Sequence, residues 1–194
     1  MTFILGLTGS IGMGKSTTAG LFKKHGIPVY DADQTVHDLY RGRLAPLIEK
    51  AFPGSTTNGV VDRSKLSIHV VDQPEKFKQL ESIVHPIVQE EQDRFLKEHF
   101  AAPIIVLDIP LLFENRKDRL CDAVVVVSTD AATQRQRVLA REGMTTEKMD
   151  ALLARQIPDV DKRRRAQFVI DTSRDIPHAE RQVLSLLKAL SGRS

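Results

Sequence analysis

Tryptophan is absent from this 194-residue chain, cysteine occurs once, and aromatic residues amount to 5%. The lone Cys121 excludes an internal disulfide, and the six histidines do not join it in any zinc-ligand spacing, so no structural metal centre is expected. So few aromatics leave a stacking platform for single-stranded nucleic acid poorly supplied. An excess of one charge sign is missing too. The 28 Lys+Arg are nearly matched by 25 Asp+Glu, a formal balance of +3, which an anionic small molecule explains as well as nucleic acid does. No apolar run approaches the roughly 18 residues that span a bilayer, and the first residues lead straight into a strand. These absences set the expectation of a cytoplasmic protein with neither membrane nor nucleic acid as partner.

What is present is an α/β pattern. With 41% hydrophobic residues, the chain suffices for one buried core carrying insertions. Phe3 to Leu7, Pro28 to Asp31, Ile104 to Asp108, Ala123 to Val127 and Phe168 to Asp171 are short apolar runs with little polar alternation. Strands of that kind are covered on both faces, which predicts a parallel five-stranded sheet between helical layers. Asp31, Asp108 and Ser128 end or follow three of these runs, and the carboxyl ends of parallel strands face the ligand crevice.

Between Asp33 and Ala102 lie about 70 residues, more than a crossover helix requires. They read as helices Gln34 to Tyr40, Leu44 to Phe52, Ser64 to Val71, Glu75 to Ser82 and Pro86 to Phe100, with Gly54 to Gly59 as a loop. A second, arginine-rich excursion turns at Gly143-Met144-Thr145, where Thr145 is an expected helix cap.

Gly9-Ser10-Ile11-Gly12-Met13-Gly14-Lys15-Ser16 fits G-x-x-x-x-G-K-[ST] at every fixed position, between the first strand and a helix from Lys15 to Lys24. A glycine-rich turn there points backbone N–H groups into one concavity at the positive end of the helix dipole, a polyphosphate site. The expected ATP-binding set is Gly9, Ile11, Gly12, Met13, Gly14, Lys15, Ser16 and Thr17. Lys15 would reach the outer phosphates, and the Ser16 hydroxyl would ligate Mg2+.

A switch GTPase would carry D-x-x-G and N-K-x-D. Asn115-Arg116-Lys117-Asp118 approaches the second, but Arg116 occupies the lysine position and no D-x-x-G follows Asp31 or Asp108. A solvated polar turn accounts for it. Arg137 and Arg141 are four apart, so on a helix starting near Asp130 they would share a face, with Gln134 one turn earlier. Such a face either closes over a transferring phosphoryl group or is a solvated surface. Arg155 and Arg163-Arg164-Arg165 carry a weaker signal.

Taken together, Thr8 to Thr17, Asp31-Ala32-Asp33, His85-Pro86, Pro110-Leu111-Leu112-Phe113-Glu114, Gln134 with Arg137 and Arg141, and Gln156 resemble the dephospho-coenzyme A kinase family from residue 3 to about 190. The resemblance implies a P-loop kinase that phosphorylates the ribose 3′-hydroxyl of dephospho-coenzyme A with ATP and Mg2+. It also implies a nucleotide-binding core of residues 1–33, 102–134 and 157–194, a helical substrate domain of 34–101 and a lid of 135–156. Asp33, Lys15, Arg137 and Arg141 then become the catalytic set, with Asp33 as base or orienter of the hydroxyl, as a helix N-cap, or both. Thr8, Asp31, Asp33, His85, Pro110, Leu111 and Glu114 become substrate-binding candidates, and Ser16 with Asp108, through water, the metal-binding ones. Asp31 either supports Asp33 or simply ends a strand, and Glu114 either closes a contact under the site or caps a turn. His85 either meets substrate or sits at a helix end whose first turn holds Pro86. Phe77, Leu80 and Val84 read as packing for the insertion.

Two departures stand out. Met13 replaces a small residue of the loop and is expected to narrow access. Ala166 to Arg174 departs from the family's A-D-x-V-I-x-N-x-G at Gln167, Thr172 and Arg174, in a segment expected to pack on adenine.

Overall fold

A computed structural model describes residues 2–192. It resolves into two compact units: residues 31–98, and the remainder of the chain on either side.

The larger unit is built on a sheet in the order β2-β5-β1-β6-β7. β1 (Phe3–Thr8) leads into α1 (Lys15–Lys24) and β2 (Val29–Asp31). The chain returns through β5 (Ile104–Asp108), β6 (Ala123–Ser128), α6 (Ala131–Leu139), α7 (Thr146–Leu153), α8 (Asp159–Arg165), β7 (Phe168–Asp171) and α9 (Ile176–Ser191). β1 pairs in parallel with β5, Leu7 opposite Asp108, and with β6, Thr8 opposite Val126; β6 pairs in parallel with β7. Every residue of β5 and of β6 is buried, which is why their apolar runs do not alternate. Leu5, Leu7, Val106, Val125 and Val127 pack on one face with Phe22 of α1 and Val183, Leu186 and Leu190 of α9. At about 1.5–3 kcal/mol for each fully buried side chain of this size, that layer holds the strand ends in register.

The smaller unit contains α2 (Ala32–Tyr40), α3 (Leu44–Ala51), β3 (Thr56–Thr57), β4 (Val60–Val61), α4 (Arg63–Val70) and α5 (Pro74–Glu98). Leu39, Leu44, Ile48, Phe52, Val61, Leu66 and Leu80 form its core. The expected loop of residues 54–59 holds a small antiparallel hairpin instead. Asn58 and Gly59, with φ of 52° and 76°, supply the two left-handed residues of a tight hairpin turn. Glu49 fastens the hairpin by accepting from the N–H groups of Gly54 and Thr56 and from the Thr56 hydroxyl.

The helix break expected at Pro86 does not occur, and α5 runs through it for 25 residues. A proline inside a helix costs about 3 kcal/mol. Leu80 before it, and Ile83, Val84, Ile87 and Val88 on both sides, pack on the unit's core and offset that cost. The reading of Pro86 as a first-turn residue with His85 at a helix end is therefore corrected. Phe77 is half-exposed rather than core, whereas Leu80 is buried.

Candidate active site

The glycine-rich loop closes where β1 hands over to α1. Gly12 and Gly14 have φ of 80° and 88°, a region open to glycine at no steric cost. A Cβ at Gly12 would lie 2.5 Å from the Val138 side chain and 3.0 Å from the Gln134 carbonyl, and one at Gly14 would lie 3.1 Å from the Thr172 hydroxyl. The loop is thus pressed between α6 and the chain after β7, with its N–H groups at the start of α1. No acidic side chain occupies the first turn of α1, so the positive end of its dipole is free for an anion.

Lys15 reaches across to β5. Its Nζ lies 2.5 Å from Asp108 Oδ1, with 15% of the lysine side chain and 2% of the aspartate exposed. Ser16 and Thr17 are exposed at the same helix start. Among the described residues no three His, Cys, Asp or Glu side chains cluster as a metal site. Mg2+ takes one or two protein oxygens and completes its shell with phosphate and water. Ser16 and Asp108 carry a hydroxyl and a carboxylate, oxygen donors of that kind. Thr8, buried at the end of β1, donates its hydroxyl to Pro110 O at 2.9 Å, while Leu111 stands exposed.

Met13 does not narrow access, contrary to expectation. It is 3% exposed, and its sulfur accepts the Thr129 N–H at 3.2 Å, so the side chain lies inside the fold. Thr172, expected against adenine, is also buried and donates to Met13 O at 2.7 Å. Arg137 binds the same threonine, donating to its hydroxyl at 3.2 Å and to its carbonyl at 2.7 Å. The other altered position, Gln167, accepts the Val124 N–H at 2.8 Å and helps hold β6.

Arg141 does not share a helical face with Arg137. α6 is capped at Asp130 and ends at Leu139, and the chain turns with Arg141 N–H donating to Val138 O at 3.1 Å. Gly143, with φ of 68°, carries the turn on, leaving Arg141 exposed beyond the helix. Thr145 caps α7, accepting from Lys148 N–H. Asn115 and Arg116 lie in a turn leading into a 3-10 segment, Lys117–Leu120, that takes in Lys117 and Asp118.

In the smaller unit, Asp31 is the N-cap of α2, its carboxylate accepting the Gln34 N–H at 2.9 Å. Asp33 follows in the first turn and is exposed, so the capping alternative for Asp33 is corrected. His85 is 72% exposed, 3.9 Å from Glu81 one turn earlier.

Glu114 turns inward. Its Oε1 accepts the Ile157 N–H at 2.9 Å and lies 2.9 Å from Nζ of Lys162, a lysine with no exposed side-chain surface. Burial pushes the Glu114 carboxyl up, but the Lys162 ammonium and the Ile157 N–H outweigh it and leave the group below the ordinary glutamate value. Sequence reasoning passed over Lys162, because nothing distinguishes it from the three arginines that follow.

A family model described as Dephospho-CoA kinase matches residues 3–178. A dephospho-CoA kinase of Brucella melitensis biotype 1 is 55% identical over 192 residues, 98% of this chain and 96% of that protein. A crystal structure of a Thermus thermophilus protein is similar with a TM-score of 0.83 at 33% identity, over 97% of each chain. The dephospho-CoA kinase structure from Campylobacter jejuni, at 22% identity and a TM-score of 0.69 over 97% of each chain, shares the fold. This chain belongs to the dephospho-CoA kinase family.

Proposed function

We propose that this chain transfers the γ-phosphoryl group of ATP to the ribose 3′-hydroxyl of dephospho-coenzyme A, giving coenzyme A and ADP. The observation that carries the reading is Lys15 at the head of α1, paired with the buried carboxylate of Asp108, with the exposed Ser16 next to it in the helix. That grouping provides cation, hydroxyl and carboxylate where a polyphosphate lies on backbone N–H groups. The backbone N–H groups between Gly9 and Thr17, other than that of Ile11, which Gln156 accepts, form the cradle, and Lys15 passes from Asp108 to the outer phosphates as nucleotide arrives. Ser16, with Asp108 through water, would hold Mg2+, which when bound shields phosphate charge and orients the transferring group.

Asp33 orients the acceptor hydroxyl and takes its proton as the bond from O3′ to the γ-phosphorus forms and the bridge to the β-phosphate breaks. Its exposure leaves the carboxylate open to a ligand, and Asp31, by capping α2, holds the turn that presents it. Residues 34–101 grip the acceptor, with His85 among the contacts to its phosphate or adenine. Thr8 and Pro110, bonded to one another, and the exposed Leu111 are further candidates for contact with the acceptor. Residues 135–156 act as a lid whose Arg137 and Arg141 neutralise charge on the transferring group. A cytoplasmic setting fits a pathway of soluble substrates.

An acceptor panel tests this reading. ADP release with dephospho-coenzyme A, adenosine and nucleoside monophosphates should show strong preference for the first. Equal or better turnover with a nucleoside monophosphate would make the chain a different small-molecule kinase.

A further inference from the structure

One P-loop residue is held on both of its backbone groups by glutamines that flank the arginine-bearing segment. Gln134 Nε2 donates to Ile11 O at 2.8 Å, and Gln156 Oε1 accepts the Ile11 N–H at 3.2 Å. Gln134 immediately precedes residues 135–156 and Gln156 closes them, so both ends of that segment are fastened to one point of the phosphate loop.

The Gln156 end is backed by a buried post. Ile157, the next residue, gives its N–H to Glu114, which pairs with Lys162 of α8. Glu114 Oε2 is buried and meets no hydrogen-bond donor among the described residues, so the polar contacts of this carboxylate run through Oε1 into the protein. α8 is further tied down by Asp159, which accepts the Ser128 hydroxyl at 2.8 Å, and by Arg165, whose guanidinium stacks 4.2 Å from the centre of the Phe113 ring. An ion pair whose lysine has no exposed surface and whose glutamate keeps 14% of its side chain exposed is costly to break on one side, because a buried charge is left behind. A pair in that position fixes a turn firmly.

We propose that Gln134 and Gln156 are positioning residues that register the lid segment on the phosphate loop, and that the Glu114–Lys162 pair acts through Ile157 to hold Gln156 in place. Ile11 thereby serves as an anchor rather than a phosphate donor, and the loop keeps a binding-ready shape before nucleotide arrives. This rests on the reading of residues 9–17 as the ATP site. It moves Glu114 from substrate contact to support.

The test is the dissociation constant for ATP, measured calorimetrically on the full chain without acceptor, so that it stands apart from whether coenzyme A is the product. Gln156→Ala should weaken ATP about tenfold, the scale of one lost hydrogen bond at a preset site. Its melting temperature and its affinity for dephospho-coenzyme A should stay close to wild type. Glu114→Gln keeps an acceptor for Ile157 but strands the Lys162 charge, and should weaken ATP comparably. Adding Lys162→Met should return ATP affinity to within about twofold, because the stranded charge is gone and the Ile157 bond remains. Unchanged ATP affinity in Gln156→Ala overturns the proposal, as does a double variant that regains its melting temperature without regaining ATP affinity.

Discussion

Thr172 donates its hydroxyl to the Met13 carbonyl at 2.7 Å, so two residues singled out in the sequence as unusual for these loops touch each other. The contact joins the chain after β7 to the phosphate loop, and Arg137 binds the same threonine. Thr172→Val keeps the shape and removes the hydroxyl. Stability should fall by about 1–2 kcal/mol, because a buried carbonyl loses its donor, and kcat/KM for ATP should fall several-fold. Urea denaturation and steady-state kinetics on one preparation check both; wild-type values in both would reduce the contact to packing.

Lys15→Met should lower kcat by about 10^2 to 10^3, the scale of losing one preset positive contact at developing charge. It also strips a cation from a carboxylate that is 2% exposed, so some loss of melting temperature should accompany the kinetic loss. Circular dichroism establishes that the fold persists. A folded variant with near-normal turnover would displace the active site from the P-loop.

The structure sharpens what Asp33 should do. Because Asp31 caps α2, Asp33→Asn leaves the cap intact and should change stability by no more than about 0.5 kcal/mol, as for an ordinary surface substitution. Its kcat should fall by about 10^2 to 10^4, as for loss of a general base, with ATP affinity held. Asp31→Ala should do the reverse in part, costing about 1 kcal/mol of stability. An active Asp33→Asn enzyme would pass the proton-accepting role to another carboxylate.

Glu114 gives a pH signature. Its pKa is depressed in the folded chain, so its stabilisation is fully present above the ordinary glutamate value of 4.5 and is lost as pH falls through the lower folded value. Melting temperature recorded from about pH 7 to pH 3 should therefore fall more steeply below that value in wild type than in Glu114→Gln/Lys162→Met. Parallel curves would deny the pair its electrostatic role.

Much of this was readable in the residues, for physical reasons that also mark the boundary. β5 and β6 announced themselves because β-branched runs buried on both faces lack alternation, and the other three strands were legible as short apolar runs although they are only partly buried. The P-loop did so because only glycine tolerates φ near 80° under the Val138 side chain. Pro86 misled, since its local cost is overridden by apolar packing before and after it. Arg141 misled because a four-residue spacing says nothing of where the helix stops. The Asn58-Gly59 turn was visible in principle, a strong two-residue hairpin signal between short strands. Met13 looked like an obstruction because sequence gives no side-chain direction, and Lys162 was hidden in a basic run whose other members are exposed.

The central claim is the identity of the reaction, and the product tests it most directly. The purified chain, incubated with ATP, magnesium and dephospho-coenzyme A, should yield stoichiometric ADP and a product that mass spectrometry and phosphorus NMR identify as coenzyme A, phosphorylated at the ribose 3′-oxygen. ADP formed without coenzyme A, or a phosphate placed at another position, would contradict the account.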